Sequence, residues 1–260
     1  MSEQNPGSPA QFDPFTPVPD PYTPLREAAA RCPVIPAPGG AVVVTGNANV
    51  AAVFKDSQAF RNELRPREPG TQPSLVHLDG DEHTRMRKLV VKAFTPKAVK
   101  KLEAPTYAIA HELVDRFITR ATADMCTEFA FLLPAMVIAE LVGIPQGDRS
   151  QFVEWADDAI TAAAPGSSGY ADSDPQLRRY VLSIIDERRR APGEDLLSHL
   201  IDVHDGEDRL STDELVALVR MLILAGTDTT ANLIGSMLHQ LLSVPARWRR
   251  VRADRTLIAN

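Results

Sequence analysis

Cysteine is nearly absent: Cys32 and Cys126 are the only two in 260 residues. They lie 94 positions apart and form no Cys-x-x-Cys pair, which excludes a disulfide framework and a zinc ribbon. Two reduced thiols in an intracellular protein fit that usage. An excess of positive charge is also lacking. Twenty-eight Lys and Arg stand against 34 Asp and Glu, for a net charge of −6, which argues against a general nucleic-acid binder. The first 38 residues contain no apolar stretch that would read as a secretion signal. No run of about 18 consecutive apolar residues is found, so the expectation is a soluble, cytoplasmic protein that neither spans nor anchors to a membrane. Glutamate stops at Glu214, and nothing after Cys126 is cysteine.

Proline is present where it disrupts most. Ten of the 21 prolines fall within residues 1–38. Each removes an N–H and pushes its predecessor to extended geometry, so an irregular arm is expected there. Ala41–Thr45, bounded by glycines, predicts a short strand with a less clear second strand nearby. Asn49 is placed to cap a helix through Phe54. A polar loop follows over about 61–74. Helical periodicity then dominates, near 80–93, 97–120, 129–143, 148–163, 174–190 and 212–243. Turn chemistry separates these segments at Thr95-Pro96, Gly143-Ile144-Pro145, Pro165–Gly169, Ala191-Pro192-Gly193 and Asp205-Gly206. The expected class is mainly α with a small β part near the N-terminus. The domain plan is the arm, 1–38, then one domain over 39–260.

The segment 212–243 is the most informative. Ser211 and Glu214 have capping-box spacing. Leu215 to Leu224 is apolar around most of the circumference, as in a buried helix. Its middle then breaks pattern with Ala225-Gly226-Thr227-Asp228-Thr229-Thr230. Glycine costs about 1 kcal/mol against alanine in a helix interior. Buried carboxylates need partners, and threonine hydroxyls bond back to helix carbonyls. Two readings fit: a local kink with satisfied polar groups, or a face of small residues and an acid–alcohol pair against a large flat ligand.

A second constellation is Asp79-Gly80-Asp81-Glu82-His83-Thr84-Arg85-Met86-Arg87. Asp79 and Glu82 have capping-box spacing. His83 and Arg87 are four apart and share a helix face. Their donors suit a carboxylate or phosphate; a solvated polar face fits the same spacing.

Together these residues resemble the cytochrome P-450 family. Ala225–Thr230 is similar to its central-helix motif, Ala/Gly-Gly-x-Asp/Glu-Thr-Thr/Ser. Leu78–Arg87, followed by Ala93-Phe94-Thr95-Pro96, resembles its earlier heme-flanking helix, and Asp20–Phe54 resembles its opening strand and helix. The resemblance implies a cytochrome P-450-like helical fold and a heme-dependent monooxygenase acting on a small organic substrate with dioxygen. His83 and Arg87 would contact a heme propionate, and Ala225 and Gly226 would leave space over the heme. Asp228 and Thr229 would form the catalytic pair that delivers protons to dioxygen. A ferredoxin or flavodoxin would supply electrons, steered by the basic run Arg85, Arg87, Lys88, Lys92, Lys97, Lys100 and Lys101.

Two family motifs are not found downstream of the central helix: Glu-x-x-Arg, and the Phe-x-x-Gly loop carrying the iron-ligating cysteine. Neither Cys32 nor Cys126 has that loop's context, so no metal ligand is assigned in this chain. Glu82–Arg85 and Glu187–Arg190 match Glu-x-x-Arg by spacing alone and are read as chance surface charges. The expectation is a C-terminally incomplete fold. Two alternatives stay open: an inactive truncated product, or half of a split protein that needs a C-terminal partner chain. Poor folding or aggregation of the isolated chain is expected, because part of the central helix would lack cover.

Overall fold

A computed structural model describes residues 13–14, 16, 18–62, 74–163 and 175–258. The chain divides into two compact units, Met1–Pro66 and Arg67–Asn260.

Within the first unit, residues 22–36 are more regular than the irregular arm expected over 1–38. Helix α1 runs Tyr22–Arg31. Pro24 falls in its first turn, where backbone N–H groups have no helical partner to lose. Asp20 takes the freed donors: its carboxylate accepts from the Tyr22 and Thr23 amides at 2.9 and 3.3 Å. Strand β1, Val34–Pro36, pairs antiparallel with β2, Val42–Val44, in the register Ile35↔Val43. Gly39 and Gly40, both at positive φ, turn the chain between them. Helix α2 runs Asn47–Lys55. Its N-cap is Gly46, not Asn49, whose side chain instead donates back to the Thr45 carbonyl at 3.0 Å.

The second unit is helical, with one small hairpin. It contains α3 (Gly80–Ala93), α4 (Pro96–Lys101), α5 (Glu103–Asp115), α6 (Leu132–Val142), α7 (Arg149–Ala163), α8 (Pro175–Arg190) and α9 (Leu196–Asp202). The hairpin β3 (His204–Asp205) and β4 (Asp208–Arg209) leads into α10 (Thr212–Leu242), and α11 spans Pro245–Ala253. The helix expected over 97–120 is two helices broken at Leu102. The break puts Pro105 in the first turn of α5, where its missing N–H costs nothing. The helix expected over 129–143 likewise starts with a π turn, Cys126–Ala130, before α6. The expected loop at 61–74 and the break at 165–169 lie almost wholly outside the described residues.

Apolar stripes from five helices meet in one core. Met86 and Leu89 of α3, Phe152 of α7, Ile185 of α8, Leu200 of α9 and Val219 of α10 are all essentially inaccessible to solvent. On α8 the buried set Leu177, Val181, Ile184 and Ile185 follows the i, i+4, i+7, i+8 spacing of a helix lying on a core.

Gly143 ends α6 in the left-handed region at φ 83°. Its amide and that of Ile144 both bond to Ala139, closing the last turn. Arg188 donates to the Gly143 carbonyl at 2.6 Å and to Asp195 at 2.6 Å. Asp195 in turn caps α9 through the Ser198 amide at 2.8 Å. One half-buried guanidinium therefore joins the ends of three helices. Glu187 pairs with this Arg188, not with Arg190.

By length and mean hydropathy, α10 is the one helix among the described residues that could cross a membrane. That departs from the expected absence of such a span. Its first half instead packs in the protein core, through Leu215, Val216, Leu218, Val219 and Ile223.

Candidate functional site

The start of α10 is fixed in detail. The Ser211 hydroxyl accepts from the Glu214 amide at 3.2 Å, and the Glu214 carboxylate accepts from the Ser211 amide at 2.7 Å, so both halves of the capping box form. Arg178 of α8 reaches Asp213 at 2.7 Å, and Arg189 of the same helix donates to the Thr212 hydroxyl at 2.8 Å. Arg85 of α3 pairs with Glu214, which is only 5% exposed. Three arginines from two helices thus hold three successive residues of the first turn.

Fourteen residues on, about 21 Å along the axis, lies the Ala225–Thr230 segment. Thr229 donates its hydroxyl to the Ala225 carbonyl at 2.6 Å, the back-bond that mid-helix threonines make. Asp228 accepts from the Asn232 side-chain amide at 2.9 Å. Ala225, Asp228, Thr229 and Asn232 are exposed and fall on one side of the helix. Asn232 was not anticipated; its only sequence signal is the four-residue spacing from Asp228.

The opposite side faces α6. A Cβ on Gly226 would lie 2.6 Å from Ile138 Cδ1. Of the two residues expected to leave room over a ligand, only Ala225 is on the open face; the glycine lets α10 approach α6. Thr227 is fully buried, and its hydroxyl has no hydrogen-bond partner among the described residues.

Helix α3 presents three faces. Met86, Leu89, Val90 and Ala93 are buried. A second face is cationic and paired: Arg85 with Glu214 and with Asp208 at 3.0 Å, and Lys88 and Lys92 with Asp205 of the β3–β4 hairpin. His83, half-buried, and Arg87, exposed, form the third face and have no hydrogen-bond partner among the described residues. Asp79 does occupy the N-cap of α3, but its side chain makes no capping hydrogen bond. Arg85 is not a chance surface charge, because it ties α3 to the start of α10. Burial pulls its guanidinium pKa down, but Glu214 and Asp208 outweigh that and leave it raised. Hydrogen bonds from Lys88 and then Lys92 hold Asp205 down to about 2.

The basic run is therefore partly neutralised from within. Lys101 also pairs with Glu194 at 2.7 Å. Arg87, Lys97 and Lys100 remain without an ion pair among the described residues.

The donor chemistry fits one part of a heme site. The N–H donors of His83 and Arg87 on one face of α3 match a carboxylate, and an open face of α10 carries a small residue beside an acid and an alcohol. Among the described residues no thiolate ligand for iron is apparent: Cys32 belongs to the first unit, Cys126 starts the π turn, and both are exposed. Among the described residues no group of three or more His, Cys, Asp or Glu side chains is placed to hold a metal ion.

The family model for cytochrome P-450 matches residues 169–259. The chain belongs to the cytochrome P-450 family and is of the bacterial type. It is 38% identical over 197 residues to cytochrome P-450 107B1 of Saccharopolyspora erythraea, covering 75% of this chain and 48% of that one. It is 36% identical to the mycinamicin IV hydroxylase/epoxidase of Micromonospora griseorubida, covering 82% and 55%. Among solved structures, cytochrome P-450 CYP109Q5 from Chondromyces apiculatus superposes with a TM-score of 0.84 at 32% identity, covering 96% of this chain and 66% of the other. The chain spans about half the length of the curated relatives it matches.

Proposed function

We propose that this chain forms the oxygen-facing and propionate-binding part of a heme monooxygenase, which inserts one atom of dioxygen into a small organic substrate. Residues 39–260 would belong to a single domain, preceded by the proline-rich arm 1–38. The observation that carries this reading is the open face of α10, where the Thr229 hydroxyl is tied to the Ala225 carbonyl beside a carboxylate held by Asn232.

Heme, when bound, supplies the iron at which dioxygen is reduced. The chain's own residues do the rest. His83 and Arg87 bind a propionate by charge-assisted hydrogen bonds. Ala225, small and exposed, would leave space over the heme for dioxygen and substrate. Thr229 uses its proton on the Ala225 carbonyl, so its oxygen lone pairs would face outward and accept from a water. Asp228 carries protons inward from solvent, and Asn232 holds its carboxylate in one orientation. Inserting one oxygen atom and releasing the other as water takes two electrons and two protons, so a proton path and an electron donor are both required. A ferredoxin or flavodoxin is the proposed donor, docking through Lys97 and Lys100. The proposed setting is the cytoplasm.

Titration with hemin tests the reading. Binding that weakens in Arg87→Ala and His83→Ala, but not in Thr229→Ala, is the expected outcome. In turnover with dioxygen and a two-electron donor, Thr229→Ala lowers the product formed per dioxygen consumed. Hemin binding indifferent to residues 83 and 87 would overturn the assignment.

A second reading is that the chain needs a further polypeptide to hold heme. It is favoured by the exposed apolar residues late in the chain: Leu233 at 68%, Met237 at 49% and Trp248 at 40%. Hemin affinity that rises on mixing with the C-terminal part of a relative supports it; affinity that is unchanged counts against it.

A further inference from the structure

The paired face of α3 has a consequence for the unpaired one. Arg85 sits between His83 and Arg87 in sequence, but two residues along a helix turn the direction by about 200°. Its guanidinium therefore points away from the two free donors. It contacts Glu214, the N3 residue of the α10 capping box, and Asp208 on the β3–β4 hairpin. Both Glu214 oxygens are then used, one by Arg85 and one by the Ser211 amide. One turn further along, Lys88 and Lys92 grip Asp205 on the same hairpin. These contacts fix the rotation of α3 about its own axis relative to α10.

We propose that Arg85 is a positioning residue: by anchoring α3 to Glu214 and Asp208, it aims His83 and Arg87 at a carboxylate held over the open face of α10. This rests on the heme reading above. A rotation of α3 by about 20° moves a side-chain tip some 5 Å from the axis by about 2 Å. A hydrogen bond tolerates only about 0.5 Å of misplacement. Small freedom in α3 therefore abolishes the donors' function without unfolding the helix.

The test compares two probes, protoporphyrin IX and its dimethyl ester, titrated into the 260-residue chain by fluorescence. The ester has the same flat apolar surface but no carboxylates, so the ratio of the two affinities isolates the propionate contacts. Charge-assisted hydrogen bonds imply a ratio of about tenfold or more in the wild type. In Arg85→Gln the ratio is expected to collapse towards that of Arg87→Ala, while ester affinity stays within about twofold of wild type. Arg85→Lys should recover part of the ratio, because an ammonium can hold one acidic partner but cannot span both. A purely structural role would weaken both probes equally.

If Arg87→Ala loses the ratio and Arg85→Gln keeps it, the positioning role is wrong and the heme reading stands. If Arg87→Ala keeps the ratio, the propionate reading falls, and the proposal with it. Should Arg85→Gln also lose the ester through misfolding, Asp208→Asn decides. It removes one anchor without stranding a buried charge: a lowered ratio supports the proposal and an unchanged ratio overturns it.

Discussion

Replacing Gly226 by alanine sets two effects of similar size against each other. The new methyl would lie 2.6 Å from Ile138 Cδ1 and 3.1 Å from Cγ1. Carbon atoms pack best at about 3.5–4.0 Å, so the overlap with Cδ1 is close to 1 Å. Overpacking of this kind costs about 1–3 kcal/mol. Alanine returns about 1 kcal/mol of helix propensity. The net expectation is destabilisation by about 0–2 kcal/mol, where an ordinary helix glycine would give stabilisation. Ile138→Val removes Cδ1 and by itself costs about 0.5–1.5 kcal/mol. In that background Gly226→Ala should become neutral or stabilising, by up to about 1 kcal/mol. Urea unfolding of the four proteins closes the cycle, provided the denaturant slope is shared. A single Gly226→Ala that stabilises by the full propensity term would refute the reasoning. So would additivity within about 0.5 kcal/mol.

Gly143→Ala should be worse, by about 2–4 kcal/mol, because it combines left-handed strain with loss of the Asp195 cap. Its Cβ would fall 2.5 Å from the Asp195 carboxyl carbon, and a thermal melt within 1 °C of wild type would contradict this. Asp205 governs part of the acid limb. Its pKa in the fold is about 2, against an ordinary 3.8. The group therefore adds stability above about pH 4 and loses it as pH falls towards about 2. Asp205→Asn should flatten the stability profile in that window while leaving its shape above pH 5 unchanged. An identical acid limb in wild type and variant would exclude the role.

How much of this was legible in the sequence depends on the distance each signal had to cover. The bounds of α3 and α10 were, because the Ser211–Glu214 box and the apolar run after it are local. The stop at Gly143-Ile144-Pro145 was legible for the same reason. Prolines misled in the first unit: Pro24 was counted as a breaker, yet a first-turn position gives it no helical bond to break. Helix α9 escaped notice because seven residues carry little periodicity; its signal was Asp195 placed three residues before Ser198. In the candidate site, His83 and Arg87 share a face as their spacing required, and Thr229 bonds back as threonine chemistry allows. What was hidden is tertiary. Arg85 and Glu214 are 129 positions apart, and nothing near either one announces the other. The neighbour that makes Gly226 a glycine, Ile138, lies on another helix.

The grip on the first turn of α10 makes the helix a beam clamped at one end. Up to Ile223 it is held by core contacts, and beyond Ala225 most side chains on most sides meet solvent. Free energies of local opening should therefore fall along its length. Amide hydrogens from Leu215 to Ile223 should exchange only on global unfolding, and those from Asn232 to Leu242 by fraying from the far end. Ala225 to Thr229 stand where the two regimes meet. A bend there costs less than anywhere in the clamped half, and whatever comes to rest against the open face can set its angle.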